Sequence, residues 1–194
     1  MGGRDFWRSG ELSVLLQKDL EKALSEVDKL SPNLALSEDP TTVIANIVNK
    51  IARQPVVPQW QDLKQGKTRE VKLSINNFGR TQEINGLAID IYLPIVGDTT
   101  ILQYKAHTSS LSPMAWKIDN DKLVLTITKQ DLSAEFVKGE YERSRTFLNN
   151  AIEWANRDLT ENHSAMFGQV NARLNSRREK LERAAKLDDD LSLS

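Results

Sequence analysis

The sequence predicts an α+β fold: a small, mainly antiparallel sheet with two N-terminal helices and a long C-terminal helical arm. Three observations predict it. Apolar residues recur at spacings of three and four before Arg53. They alternate with polar residues between Val71 and Thr128. Helical spacing then returns from Asp131 and runs to about Leu187.

The first helix is predicted over residues 10–30, where Leu12, Leu15, Leu16, Leu20, Leu24, Val27 and Leu30 form one stripe and Lys and Glu fill the other face. Ser31-Pro32-Asn33 ends it. The second runs from Pro40 to Arg53, with Ser37 or Asp39 as cap, Pro40 in the first turn and Val43, Ile44, Ile47, Val48 and Ile51 as a broad apolar face. Residues 54–66 read as a connector that Trp60 docks on the core. Five strands follow. Val71, Leu73 and Ile75 alternate with Lys72 and Ser74, and residues 76–80 form a turn. Leu87–Leu93 places Ile89, Ile91 and Leu93 on one face, with Asp90 and Tyr92 on the other. Pro94 to Asp98 reads as a turn, and Thr99–Ala106 as a third strand paired with the preceding one. Met114–Ile118 and Lys122–Thr128 flank Asp119-Asn120-Asp121 as a hairpin, with both faces of the last strand covered.

In the arm, Leu148, Ile152, Ala155 and Leu159 are followed by Met166, Val170 and Leu174, then by Leu181 and Ala184 or Ala185. Thr160-Glu161-Asn162-His163 interrupts this stripe, so the helix either breaks into a hairpin or runs on through a polar layer. Gly168 weakens it by about 1 kcal/mol relative to Ala. A continuous helix over residues 140–186 would span about 70 Å and must fold back or pair with another chain to bury its stripe. The predicted organisation is therefore an α+β domain over residues 1–130 and a helical arm over 131–190. The acidic run Asp188-Asp189-Asp190 before Leu-Ser-Leu-Ser reads as a linker toward a further domain.

Composition narrows the function. The 26 basic and 27 acidic residues leave a net charge of -1, which gives no global pull toward nucleic acid or an anionic membrane. The absence of cysteine excludes disulfides, thiolate catalysis and cysteine-ligated zinc. Aromatic residues are 6%, so the core must rely on Leu, Ile and Val. A mean hydropathy of -0.47 suits long exposed helices. Met1-Gly2-Gly3-Arg4-Asp5 leads into charged helix, and no window approaches the ~18 apolar residues a membrane helix needs. The expected compartment is the cytoplasm, without membrane association.

Chemical candidates are few. His107 neighbours Thr108, Ser109 and Ser110, but no G-x-S-x-G nucleophile elbow is present, and His163 sits in the polar gap of the arm. Both read as ordinary surface or interface histidines. No two histidines share a helical turn and no acidic run has EF-hand order, so no metal site is expected. The nine glycines form no phosphate-binding cluster, and no cofactor is expected. The sharpest catalytic pattern is Asp90 followed by Gln103-Tyr104-Lys105 on the next predicted strand. It resembles the D…(E/Q)-x-K arrangement of restriction-endonuclease-like folds. That resemblance implies Mg²⁺ on Asp90, with Lys105 positioning water or stabilising phosphate charge. The usual Glu is replaced by Gln103, and strand rather than helix follows Lys105. A second lead is the basic cluster Arg173, Arg177, Arg178, Lys180 and Arg183. It reads either as a nucleic-acid contact or as a solvated face with i,i+4 ion pairs to Glu179 and Glu182.

Two helices, a strand-rich segment and a tail carrying Ile152-Glu153-Trp154-Ala155-Asn156-Arg157-Asp158, Asn171 and Ser176-Arg177-Arg178-Glu179-Lys180 follow one another. This order resembles the front module of certain bacterial multidomain proteins, including predicted antiphage defence effectors. The resemblance implies a sensing, scaffolding or oligomerising role, with any catalysis beyond Ser194, and it carries over no catalytic residue. The expected partners are copies of the chain, another protein or a fused effector. The expected interface is Leu148, Ile152, Ala155, Leu159, Met166, Val170 and Leu174.

Overall fold

The computed structural model describes residues 4–36, 39–77, 80–109 and 114–191. Calls on Met1–Gly3, Ser37, Phe78, Gly79, Ser110 and the final Ser-Leu-Ser lie outside them. Contacts divide the chain into two compact units: Met1–Leu12 with Gln54–Asn156, and Ser13–Arg53 with Arg157–Ser194. The division at residue 130 follows chain order. The units follow contacts, and the C-terminal helix belongs to both.

The fold is α+β, with a mainly antiparallel sheet of seven strands, N-terminal helices and one long C-terminal helix. The first unit holds the sheet: β1 (Arg4–Asp5), β2 (Val57–Pro58), β3 (Lys64–Gln65), β4 (Arg69–Asn77), β5 (Arg80–Val96), β6 (Trp116–Asp119) and β7 (Lys122–Lys129). Its axis is β5. Along one side of β5 lie β4, then β3 at Ile91 and Tyr92, then β2 at Ile95 and Val96. Along the other lies β7, paired from Leu87↔Lys129 to Pro94↔Lys122, with β6 and β1 beyond it. The β6–β7 turn closes on Asp119↔Lys122, and Asn120 takes the left-handed φ of 55° that a short polar side chain tolerates. Gly97 ends β5 at φ 99°, where a Cβ would lie 2.0 Å from the Pro55 carbonyl oxygen. Only glycine fits both constraints.

Because side chains alternate along a strand, Ile89, Ile91 and Leu93 share a face with Ile127, Leu125 and Leu123 opposite them. All six are buried, as are Trp116 and Ile118 of β6 on the same face. The first part of α4 (Ala134–Asp190) covers this face. Trp116 Nε1 donates to the Ser144 carbonyl at 3.1 Å, and Val137 of α4 shares small hollows with Leu87, Ile89 and Ile91. Leu148, Ala151, Ile152 and Ala155 continue the buried stripe within this unit. Asn156 closes it: its amide accepts from the Val56 N–H at 2.9 Å and donates to the Val56 carbonyl at 2.8 Å. Trp60 is half-buried beneath the Arg145 guanidinium, 4.8 Å from the ring centre.

The second unit is helical. It contains α1 (Leu12–Asp28, from Ser13 on), α2 (Pro32–Ala35), α3 (Pro40–Ile51) and the latter part of α4. Ser31 does more than end α1: its Oγ accepts from the Leu34 N–H at 3.3 Å and starts α2. Asp39 caps α3 through the Thr42 N–H at 3.2 Å. Leu20, Ala23 and Val27 of α1 meet Ile44, Ile47, Val48 and Ile51 of α3 and Met166, Val170 and Leu174 of α4 in one buried cluster. Thr160–His163 and Gly168 lie inside continuous helix, so the polar gap is a layer and not a hairpin.

One predicted strand is corrected. Thr99–Gln103 is a 3-10 helix. Asp98 accepts from the Thr100 N–H at 2.9 Å and seeds the turn. Ile101 and Leu102 are adjacent and both buried, which one face of a strand cannot achieve. The segment lies along the N-terminal residues instead: Ser9 N–H donates to the Gln103 carbonyl at 2.9 Å, Lys105 N–H to Gly10 at 2.8 Å and Leu12 N–H to Lys105 at 2.8 Å.

Candidate functional site

The nuclease pattern required Gln103 and Lys105 on the strand beside Asp90. They are not there. Asp90 on β5 faces Thr126 on β7, whereas Gln103 and Lys105 bond to the N-terminal segment. The Asp90 carboxylate is already occupied. Arg69 donates Nη2–H to its two oxygens at 3.1 and 2.9 Å, and Thr126 Oγ1 donates at 2.7 Å. Burial raises its pKa, but the hydrogen bonds from Thr126 and Arg69 and the Arg69 charge outweigh that and hold the carboxyl below its ordinary value. This is a structural ion pair at the root of β4. Among the described residues, no group of three His, Cys, Asp or Glu side chains could hold a metal ion.

The basic cluster is largely committed inside the second unit. Arg173 forks onto Asp28 with both bonds at 2.8 Å. The Arg173 hydrogen bond and charge lower the Asp28 pKa and, reciprocally, raise that of Arg173. Arg177 donates to the Leu30 carbonyl at 2.6 Å, and Arg183 to Glu179 at 3.2 Å. Ion pairs hold Arg173 and Arg183, a backbone carbonyl holds Arg177, and Lys180 lines a hollow with Asp28, Arg173 and Arg177.

The expected interface is also corrected. Leu148, Ile152, Ala155, Leu159, Met166, Val170 and Leu174 are all buried within the single chain, none more than 6% exposed. The stripe has cover of its own, so these side chains offer no surface to a second chain.

A different surface stands out, in the β4–β5 hairpin. β7 ends at Lys129 opposite Leu87, so among the described residues positions 80–86 of β5 have β4 on one side and no strand on the other. β4 in turn pairs with β5 alone among the described residues. Among the described residues, Val71–Asn76 with Thr81–Gly86 therefore form a two-stranded ribbon with no further strand beside either of its two strands. The pairing register fixes its faces. Arg69↔Ala88, Val71↔Gly86, Leu73↔Ile84 and Ile75↔Gln82 put Val71, Leu73, Ile75 and Ile84 on the side of Ala88 and Asp90. That is the side opposite to Ile89, Ile91 and α4. On the core side the ribbon shows Glu70, Lys72, Ser74, Asn85 and Glu83, with Lys72 Nζ donating to Asn85 Oδ1 at 2.6 Å. The amphipathic sense thus reverses along β5. Gly86 permits the packing of the apolar side: a Cβ there would meet Leu73 Cδ1 at 2.3 Å, so Leu73 lies over the glycine. Val71, Leu73 and Ile84 are half-buried and Ile75 is 38% exposed.

Sequence reasoning found the alternation of Val71, Leu73 and Ile75 but not its exposure. The missing signal was the face, which depends on register with β5. A wider hollow of about 600 Å³ in the same unit is lined by Met114, Glu140, Arg143, Ser144 and Phe147. Its one acid, Glu140, is bound to Arg143 at 2.8 Å. No protein-family model matches the chain, and neither a curated protein nor a solved structure matches it. Among the described residues, no helix is long and apolar enough to cross a membrane.

Proposed function

We propose that this chain is a non-catalytic protein-binding module that recruits protein by strand addition to the β4–β5 ribbon. One observation carries the reading: the ribbon's apolar face lies opposite the core face, beside an edge of β4 that has no strand neighbour among the described residues. A two-stranded ribbon is marginal in water by itself, and an edge with open N–H and C=O groups accepts a further strand. Main-chain bonds would supply affinity, while Val71, Leu73 and Ile75 supply register. The role suits a sensing or assembly module inside a bacterial cell, as the resemblance to front modules of antiphage defence proteins implies.

The test is titration of a labelled extended peptide with the sequence of residues 69–77 by the full chain, followed by fluorescence anisotropy. Saturable binding is expected, lost in the Ile75→Asp/Ile84→Asp double variant. No saturation at high protein concentration, with the parent fold intact by circular dichroism, counts against the reading.

A further inference from the structure

From the self-complementarity of β4 we infer that the strand occupying the ribbon edge is β4 of a second copy, antiparallel and centred on Leu73. This rests on the strand-addition reading above and names its partner.

The strand reads Arg69-Glu70-Val71-Lys72-Leu73-Ser74-Ile75-Asn76-Asn77. Two antiparallel copies can align in only a few registers. Any odd slip sets apolar side chains against the polar face and is excluded. Among the in-phase registers, centring on Leu73 sets Leu73 against Leu73 and Val71 against Ile75 in both directions. The polar face then sets Lys72 against Ser74 and Glu70 against Asn76, with no like charges opposed. Centring on Lys72 sets Val71 against Leu73 but places two ammonium groups face to face and leaves Ile75 opposite Arg69. Centring on Val71 leaves Ile75 without an apolar partner and sets Arg69 against Leu73. Centring on Ser74 sets Leu73 against Ile75 but leaves Val71 opposite Asn77. Only the Leu73 register pairs all apolar side chains with apolar ones.

The resulting four-stranded sheet, β5–β4–β4–β5, would join two apolar ribbon faces into one. The other open edge is a poorer candidate. Its outward strand, Thr81-Gln82-Glu83-Ile84-Asn85, carries a single apolar residue and would oppose Glu83 to itself when centred there. Lys72 therefore works as a register guard: its charge is tolerated opposite Ser74 and penalised opposite itself.

The chain lacks cysteine, so introduced thiols report register cleanly. Single variants Val71→Cys, Leu73→Cys and Ile75→Cys are made in the full chain, oxidised mildly and resolved by mass. A disulfide needs Cα atoms within about 7 Å. Across the proposed twofold axis, position 73 meets itself. Position 71 meets 75, and is about 14 Å from its own copy at ~3.4 Å per residue. The expected result is a covalent dimer from Leu73→Cys alone, and from the mixture of Val71→Cys with Ile75→Cys, but at least about tenfold less from either of those alone. The mixed pair keeps the test valid if Leu73→Cys disturbs the packing over Gly86. Equal crosslinking at all three positions, or none in the mixture, overturns the inference. If the 69–77 peptide still binds in that case, strand addition stands and the natural partner is another protein. If the peptide fails as well, both proposals fall.

Discussion

Strand β5 lives in two environments. From Leu87 to Pro94 it has neighbours on both edges, and its Ile89, Ile91 and Leu93 are covered by α4 and β6–β7 side chains. From Thr81 to Gly86 it has one strand neighbour among the described residues, and its apolar Ile84 faces the opposite way. One strand thus carries core side chains on one face and ribbon side chains on the other. A folded core explains the first half. The second half follows no requirement of the core, and that is why it supplies the functional reading. Ile75 stays 38% exposed there, on a strand whose only strand neighbour among the described residues is β5.

Breaking the covered half should give the largest effect. Trp116 is fully buried on the core face and its indole N–H is satisfied by Ser144. Trp116→Ala leaves a large cavity and removes the indole's bond to the Ser144 carbonyl, and should cost about 3–5 kcal/mol in urea unfolding. A loss under about 1 kcal/mol would mean that α4 does not cover the sheet.

The junction between the halves should respond less. Asp90 holds Arg69 at the base of β4 and Thr126 on β7, and its side chain is only 15% exposed. Its folded pKa is depressed, so the associated stability is present above the ordinary aspartate value of about 3.9. It is lost as pH falls through the folded value. Asp90→Asn should remove about 1–3 kcal/mol at neutral pH and flatten the stability loss below pH ~4. Hydrogen exchange should quicken in residues 69–77 before it quickens in β7. Equal quickening in both strands would show that the ion pair is not specific to the ribbon's root.

The legible and illegible parts of this chain divide along the same line. Helical spacing at Leu20, Val27, Ile44 and Ile51 is a local signal, and those helices stand where the sequence puts them. Alternation shows most of β4, β6 and β7 but only Leu87–Leu93 of β5, whose residues 80–86 and 94–96 the sequence does not mark as strand. β1, β2 and β3 are two residues each and exist only because longer strands lie beside them, which leaves no local pattern to read. Thr99-Thr100-Ile101 favours strand by propensity, yet the Asp98 side chain captures the Thr100 N–H and turns the chain. The stripe from Leu148 to Leu174 was plain in the sequence. What buries it was not, because Leu20, Val27, Ile44 and Val48, the cover for Met166, Val170 and Leu174, lie more than a hundred residues away. In the same way Val71, Leu73 and Ile75 alternate as Ile89, Ile91 and Leu93 do. Only the pairing Arg69↔Ala88 places the two sets on opposite faces.

The finest comparison uses one substitution in each half. Thr keeps the β-branched shape of Ile, so strand propensity changes little, while a methyl-bearing arm is exchanged for a hydroxyl. At Ile91, 6% exposed among core side chains, that hydroxyl has no solvent and the cavity persists, so Ile91→Thr should cost about 2 kcal/mol or more. At Ile75, 38% exposed on the open ribbon, water already reaches the side chain, and Ile75→Thr should change unfolding stability by less than about 0.5 kcal/mol. The same variant should weaken peptide capture at the ribbon, because Ile75 there meets an apolar partner only when a strand is added. A stability loss at Ile75 as large as that at Ile91, measured in dilute protein, would mean that the ribbon's apolar face is already covered within the chain. An unchanged stability with weakened capture is the signature of a side chain kept for a partner and not for the fold.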